Sequence, residues 1–312
     1  MTYNQWPPRF HDLETVLGAG EHKLSLNDYL ADPAPEPSLS PSIAHWLLSA
    51  SPAHAWREHP RLNPDYRQEV SAKLDLGSAA HAILLENAGE RIVIVHAKDY
   101  RTKEAQAARA EAHEQGKIPL LEEQYVVVDA MVTQAIRALN DSELKECFKK
   151  DGGESEVTFV WHGGGHTWLR TRPDRVSRDR RLLIDFKTTG SLAEPSTWTR
   201  TAILAHGYDL QAAFGVKAVS RLYSKEAHFI FVVQETEPPY AVSLVGLSPE
   251  WMEWADRKLN RAVLLWDQCM STNHWPGYPN RVAWADLPAW AKARDLDRLW
   301  VGLGPGESIE SL

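Results

Sequence analysis

The run Leu-Leu-Ile-Asp-Phe-Lys at 182–187 could place two groups of opposite charge side by side. Side chains alternate between the two faces of a β-strand, so Asp185 and Lys187 share one face, whereas Ile184 and Phe186 lie on the other. A carboxylate and an ammonium group therefore project together. The pattern also fits the charged outer face of a half-buried strand, and by itself it leaves both interpretations open.

A second carboxylate stands shortly before this strand. The segment Arg-Pro-Asp, which ends at Asp174, closes a β-rich run, and Asp174 would lie beside Asp185 if the two strands pair across the turn at 177–181. Carboxylate oxygens are hard ligands suited to Mg²⁺ or Mn²⁺, and a pair of them can hold a cation that also contacts phosphate. Lys187 would then polarise the attacking water or stabilise the developing charge.

The elements that would position these groups follow from the hydrophobic period along the chain. A Gly-rich segment joins the first two predicted strands as a hairpin, and the first three strands are expected to form an antiparallel meander. The predicted strands are 157–161, 167–172, 182–187, 228–233 and 241–247. The predicted helices include 76–86, 104–115, 122–139, 198–222, 249–270 and 287–300, with helix starts at Ser40 and Ser51.

This order predicts one enlarged α/β domain, with a mixed sheet that has helices on both faces. We divide it into a Pro- and Ser-rich lead at 1–40, a core at 41–248 and a C-terminal helical extension at 249–312. The lead is expected to wrap the surface or be partly disordered and to carry little chemistry. In the helix at 76–86, small residues such as Gly77 share a face with His81 and permit close approach.

Several segments together resemble one family of nucleases. Pro-Asp at 173–174, ten intervening residues and Asp-Phe-Lys at 185–187 match the PD-(D/E)XK signature. The surrounding text resembles the RecE-like (exonuclease VIII) family, related to lambda exonuclease and the RecB nuclease domain, from about residue 25 to 233. The resemblance implies a restriction-endonuclease-like core with a mixed central sheet flanked by helices. It is carried by SPAHAW, GSAAHAILLE, EVTFVW, LRTRPDRV, LLIDFKTT and YDLQAAF.

The resemblance also implies roles for individual residues. Asp174 and Asp185 correspond to the paired metal ligands, Lys187 to the motif lysine, and His81 to a histidine that contributes a metal contact. Without that context, His81 on its Ala-rich helix is better explained as a histidine satisfied within the core than as a metal ligand.

Three further positions are implied in the same way. Glu156 resembles the acidic residue ahead of the pair, although either Glu154 or Glu156 could enter the site. Tyr208 and Gln211 lie three residues apart on one helical face and resemble a pair that lines the active site. The chain departs from the RecB-type pattern at Gly215, where that pattern has a tyrosine.

The family implies a Mg²⁺- or Mn²⁺-dependent exodeoxyribonuclease. It would digest double-stranded DNA ends processively from 5′ to 3′, leave 3′ single strands for a single-strand annealing protein, and work as a ring-shaped homo-oligomer. An endonuclease or other DNA-repair nuclease on the same fold is an alternative. A non-catalytic DNA-binding protein is a more distant one.

Bulk composition limits the other possibilities. The net charge of −8 argues against a nucleic-acid partner, although a ring could keep its basic residues inside. Arg170, Arg172 and Arg175 belong to an arginine-rich stretch that is either a solvated strand face or a DNA-binding patch. Two distant cysteines give no disulfide framework, and no apolar run approaches the roughly 18 residues that span a bilayer. We therefore expect a cytoplasmic protein, encoded by a bacterium or a phage, that does not enter membranes.

Overall fold

The computed structural model describes residues 16–67, 75–86 and 89–292. The strands are β1 (Gly20–Lys23), β2 (Ile92–Val95), β3 (Ile118–Leu121), β4 (Gly153–Ser155), β5 (Val157–Gly164), β6 (Thr167–Thr171), β7 (Arg175–Ser177), β8 (Leu182–Thr189), β9 (His228–Glu235) and β10 (Val242–Gly246). The helices are α1 (Leu26–Leu30), α2 (Pro41–Ser49), α3 (Pro52–Arg57), α4 (Asp75–Glu86), α5 (Lys103–Glu114), α6 (Glu122–Asn140), α7 (Lys145–Phe148), α8 (Pro195–Trp198), α9 (Leu204–His206), α10 (Tyr208–Tyr223) and α11 (Pro249–Thr272). A 3₁₀-turn covers Gly89–Arg91, and a π-helical turn covers Thr199–Ile203.

A five-stranded mixed sheet, in the order β10-β9-β8-β7-β4, forms the centre of the fold. β8 runs parallel to β9, and the other neighbours are antiparallel. Alternate residues of β8 enter two different cores: Leu183 packs in the cluster that contains α10, and Ile184 packs in the cluster that contains α4 and α6. The sheet is thus covered by helices on both faces, as the order of the predicted elements indicates.

The strands around Asp174 differ from the predicted meander. β5 and β6 form the expected hairpin, but they pair with β1 in a separate three-stranded sheet. The chain leaves that sheet at 172–174 and enters the central sheet as β7, so the prediction of one continuous meander is wrong. Pro173 lacks the N–H group that a ladder requires, which accounts for the break at this point. β7 still pairs with β8, with Arg175 opposite Ile184, and Asp174 therefore precedes β7 across from Asp185.

The predicted helix at 198–222 is also interrupted. Gly207 adopts a left-handed conformation with φ 69°, and α10 begins at the next residue, Tyr208. A β-carbon at Gly207 would lie 2.6 Å from Nδ1 of His45, so the position requires glycine both for its backbone angle and for the close approach of α2. The break sets where Tyr208 and Gln211 begin their shared face.

The N-terminal lead is more structured than the sequence indicates. β1 pairs with β5, and Asp32 is fully buried, with its carboxylate 3.1 Å from Nη1 of Arg170 and 3.3 Å from Nε2 of His59. The described part of the lead is therefore integrated into the core. Residues 1–15 lie outside the described residues.

The C-terminal part begins with α11, which confirms the helix predicted from Pro249. Its Trp266 is fully buried and packs in the same core as α10. The described residues 278–292 belong to a second compact unit. Positions 293–300 of the second predicted helix lie outside the described residues. Among the described helices, none has the length and apolar character to cross a membrane.

Candidate functional site

The close packing of α4 on β8 brings His81 to the central sheet. A β-carbon built on Gly77 would lie 2.8 Å from Oγ1 of Thr188, so a larger residue there would push the helix away from the strand. Ala80, beside His81, is fully buried. The small residues of this helix therefore permit the close approach that their pattern predicts.

His81 faces two carboxylates at once. Its Nε2 lies 3.0 Å from Oδ1 of Asp174 and 3.2 Å from Oε1 of Glu156. One donor atom from each of these three residues lies within 4.8 Å of the other two, an arrangement that could hold a metal ion. No second group of this kind occurs in 16–67, 75–86 or 89–292. We call His81, Glu156 and Asp174 the acid–histidine group.

Glu156 is held by contacts on both its backbone and its side chain. It adopts a positive φ of 60°, and its N–H donates to the carbonyl of Asp174 at 2.9 Å. Oε2 lies 2.6 Å from Nη2 of Arg172, whereas Oε1 is buried without a hydrogen-bond partner in the described part of the chain. Glu154 pairs instead with Arg180 and Lys23, so Glu156 is the one of the two acids that lies in this group.

Asp174 connects the acid–histidine group to β8. Its Oδ2 accepts a hydrogen bond of 2.7 Å from the backbone N–H of Phe186, while its Oδ1 faces His81. Phe186 stands between Asp185 and Lys187, so the carboxylate of Asp174 is fixed directly against the Asp-Phe-Lys segment.

Asp185, Lys187, Gln211 and Tyr208 form the other half of the site. Nζ of Lys187 lies 2.5 Å from Oδ2 of Asp185, and Nε2 of Gln211 donates to Oδ1 of Asp185 at 2.5 Å. Nζ of Lys187 also lies 4.6 Å from the ring centroid of Tyr208. Tyr208 is stacked on Trp198, with centroids 5.7 Å apart. Asp185 is not a member of the acid–histidine group; its Oδ2 faces the ammonium of Lys187, and its Oδ1 accepts from Gln211.

The electrostatics of the Asp185 half favour a charged lysine. Burial, and after it the neighbouring Asp174, raise the pKa of Asp185 to about 6, although Lys187 opposes the change. Burial lowers the pKa of Lys187, but Asp185 and Asp174 outweigh it and raise that pKa above its usual value. Lys187 is therefore protonated at neutral pH and acts as a hydrogen-bond donor.

The acid–histidine group brings two carboxylates to one imidazole. Burial lowers the pKa of His81, yet Asp174, Glu86 and Glu156 together raise it to about 10. Burial raises the pKa of Glu156 to about 7, although Arg172 opposes the change. Burial also raises the pKa of Asp174, but His81 and Lys187 outweigh it and lower that pKa below its usual range. The proton on His81 thus offsets a charge that a bound cation would also offset.

The three arginines predicted to contact DNA have internal partners. Arg170 and Arg175 are buried; Arg170 donates to Ser38 and pairs with Asp32, and Arg175 donates to main-chain carbonyls that include Cys147. The structure therefore corrects the expected DNA-binding patch at these two positions, because a guanidinium buried inside the fold is not accessible to a phosphate. Arg172 pairs with Glu156 of the site.

Two neighbours of the site escaped the sequence analysis. Oε1 of Glu86 lies 3.4 Å from Nδ1 of His81, and Oε2 of Glu86 pairs with Arg91 at 2.6 Å. Trp198 supports Tyr208. The only local signal for Glu86 was a carboxylate one and a half turns after His81, which fits an ordinary helix end equally well.

Comparison with known proteins supports the fold. A crystal structure of a proposed exonuclease from Eubacterium rectale is similar at 13% identity and a TM-score of 0.56, over 87% of this chain and 98% of that one. A phage-related exonuclease from Haemophilus somnus matches at 13% identity over 67% of this chain and 98% of that one, with a low TM-score of 0.26. No curated protein matches the chain significantly.

The family is shown by the sequence itself. The model of the PDDEXK-like domain of unknown function (DUF3799) matches residues 45–287, which is most of the chain. The expected restriction-endonuclease-like core is confirmed by this match together with the mixed central sheet and its flanking helices. The chain therefore belongs to the PDDEXK-like DUF3799 family.

Proposed function

We propose that the chain is a metal-dependent exodeoxyribonuclease that hydrolyses phosphodiester bonds of linear double-stranded DNA. One observation carries the proposal: Asp174 joins the acid–histidine group to the Asp185–Lys187 pair through the backbone N–H of Phe186, at 2.7 Å. A group suited to a divalent cation and a charged lysine thus lie side by side. A metal ion can activate water and polarise a phosphate, and a charged lysine can stabilise the negative charge that develops.

The donor set fits a divalent cation. One imidazole and two carboxylates offer ligand atoms within 4.8 Å of one another, and Oε1 of Glu156 is buried without a hydrogen bond to oppose its charge. His81, Glu156 and Asp174 would hold the ion, and the oxygen-rich set favours Mg²⁺ or Mn²⁺. Asp185 would join as a ligand by exchanging one of its present contacts. The ion would supply Lewis-acid polarisation of the phosphate and a lower pKa for water.

The remaining side chains position the substrate and stabilise charge. Lys187 donates to a phosphate oxygen and stabilises the negative charge that develops during attack. Gln211 fixes Asp185 through its amide, and Asp185 in turn fixes the ammonium of Lys187. The ring of Tyr208, stacked on Trp198, closes one side of the ammonium group and limits its movement.

Action from DNA ends rests on the resemblance to the RecE-like family. That resemblance supports processive 5′-to-3′ digestion that leaves 3′ single strands for a single-strand annealing protein in recombination. A ring-shaped homo-oligomer would reconcile the net charge of −8 with DNA, because basic residues could line its inner surface. With Arg170 and Arg175 buried, that surface must draw its cations from other positions.

The decisive experiment is a timed digestion of linear duplex DNA labelled at either the 5′ or the 3′ end. With Mg²⁺, we expect the 5′ label to appear first as short products, the 3′-labelled strand to persist, and a chelator to stop the reaction. Covalently closed circular DNA should survive. Cleavage of the circle would favour an endonuclease on the same fold, and no metal-dependent cleavage of any duplex would contradict the proposal.

A further inference from the structure

Arg172 connects the N-terminal lead to the acid–histidine group. Its Nη2 lies 2.6 Å from Oε2 of Glu156 and donates to the carbonyl of Leu24 at 3.3 Å. The side chain of Arg172 is 10% exposed, and its Nε is buried without a hydrogen-bond partner in the described ranges. A guanidinium held so deeply has little surface left for a DNA phosphate.

The strand register explains why Leu24 is near this arginine. β1 runs antiparallel to β5 with Lys23 opposite Val157, so the adjoining residues Leu24 and Glu156 lie next to each other. The positive φ of Glu156 turns the chain between β4 and β5. Such a conformation costs free energy in a residue other than glycine and persists where surrounding contacts enforce it. The contacts from β1 and Arg172 are of that kind.

The two carboxylate oxygens of Glu156 have different environments. Oε2 is held by Arg172, while Oε1 has no hydrogen bond and lies 3.2 Å from Nε2 of His81. We infer that Arg172 is a positioning residue, which holds Oε2 so that Oε1 is presented to a divalent cation, and that the carbonyl of Leu24 holds Arg172 in turn. The inference rests on the proposed function in that a cation must occupy the site.

The chemistry of arginine suits this role. Its guanidinium is planar, stays charged at every accessible pH, and offers several donors in a fixed fork, so one Nη2 can reach a carboxylate and a carbonyl together. Lysine carries the same charge on a single ammonium group, which lacks the planar arrangement of donors. Removing a contact that orients a metal ligand lowers the metal affinity about 10- to 100-fold.

The test measures Mn²⁺ binding to the full-length chain without DNA, by electron paramagnetic resonance of free Mn²⁺. We expect Arg172→Gln to weaken Mn²⁺ affinity about 10- to 100-fold and Arg172→Lys to weaken it less. Arg178→Gln removes an exposed arginine six residues away and should leave the affinity unchanged. Binding of duplex DNA in chelator should be the same for Arg172→Gln and the wild type.

A double-mutant cycle with Glu156→Gln separates positioning from general damage to the fold. Once Glu156→Gln has replaced the ligand carboxylate with a neutral amide that Arg172 no longer pairs with, adding Arg172→Gln should cause no further loss of Mn²⁺ affinity, whereas independent losses that add together would overturn the inference. Unchanged or tighter Mn²⁺ binding by Arg172→Gln would also overturn it, as would a wild type that binds no Mn²⁺. A wild type that binds Mn²⁺ but leaves linear DNA intact would contradict only the proposed nuclease.

Discussion

The chain contains two buried charge clusters whose carboxylates have different surroundings. In the first, here called the Asp32 cluster, one fully buried carboxylate accepts hydrogen bonds from Ser38 N at 2.7 Å and Ser38 Oγ at 2.6 Å, with Arg170, His59 and Arg61 around it. Arginines lie beside both oxygens of that carboxylate. The acid–histidine group and the Asp185–Lys187 pair instead bring three carboxylates close together, and one oxygen of Glu156 has no hydrogen bond in the described residues.

The pKa values follow this difference. Burial raises the pKa of Asp32, but Arg170, His59 and Arg61 outweigh it and lower that pKa to about 2. Burial and Asp174 raise the pKa of Asp185 to about 6. In the Asp32 cluster, here called matched, cations flank a single acid and favour its ionised form. In the site, here called unmatched, burial and a neighbouring acid disfavour the ionised form of Asp185, and a bound cation would favour it.

The largest expected effect comes from breaking the matched cluster. Arg170→Met should lower the free energy of unfolding by about 3–5 kcal/mol, because it leaves the Asp32 carboxylate buried without its closest cation. Denaturant unfolding followed by tryptophan fluorescence measures the loss. The fraction that remains folded should cleave DNA at nearly the wild-type rate. A loss below about 1 kcal/mol would show that the cluster does not hold the lead in place.

Lys187→Met breaks the unmatched half of the comparison. It should slow DNA hydrolysis about 100- to 1000-fold, because it removes the ammonium group that we propose stabilises the negative charge developing on the phosphate. Stability should change far less than in Arg170→Met, since Asp185 can take up a proton when its partner is removed. Initial rates at saturating Mg²⁺ measure the effect. Wild-type rates in a folded Lys187→Met protein would exclude this role for the lysine.

Cation binding distinguishes the two clusters without reference to catalysis. Mn²⁺ at about 100 times its dissociation constant should stabilise the wild-type fold by about 2.7 kcal/mol, measured as a rise in melting temperature. Asp174→Asn should abolish that rise. Ser38→Ala serves as the matched control, since it weakens the Asp32 cluster and should keep the response. An equal rise in Asp174→Asn would place the bound ion elsewhere in the protein.

The smallest expected effect is the loss, in acid, of the stability that the Asp32 cluster contributes. Because the folded-state pKa of Asp32 lies near 2 and the unfolded value near 3.8, its contribution is present above about pH 4 and is lost as the pH falls toward 2. The size is about 2 kcal/mol. The contribution of Asp185 to the folding stability has the opposite sign. Because its pKa is raised, that contribution becomes more favourable as the pH falls from about 6 to about 4. The difference between wild type and Asp32→Asn isolates the first contribution, and parallel curves from pH 4 to 2 would contradict it.

Local patterns predicted most of the elements but fewer of their partners. The alternation in 182–187 and the helical spacing at 76–86 and 122–139 correspond to β8, α4 and α6, because side-chain period depends only on neighbouring residues. Five strands were not predicted: β1, β2, β3, β4 and β7. Each is three or four residues long and depends on pairing with another segment. The break at Gly207 escaped notice because its cause is the approach of His45 from another helix.

The candidate site shows the same limit. The identities of Asp174, Asp185 and Lys187 came from spacing and resemblance, and their catalytic roles stay a prediction. The misjudged arginines show what spacing lacks, since a run of basic residues looks the same whether its charges face solvent or a buried acid. Asp32, which binds Arg170, stands far away in the chain, and no local pattern marks the two as partners.

The amino-acid sequence was enough to indicate the PD-(D/E)XK type, the core strand with its acid and lysine on one face, and the helix that carries His81. These follow from short-range period and motif, which the chain carries wherever it folds. Only the tertiary structure decided that Glu156 rather than Glu154 meets His81, that Arg172 holds it, and that the N-terminal lead packs into the core. Each of those outcomes depends on contacts between segments distant in sequence. These contacts stabilise the protein only when folding has brought the segments together.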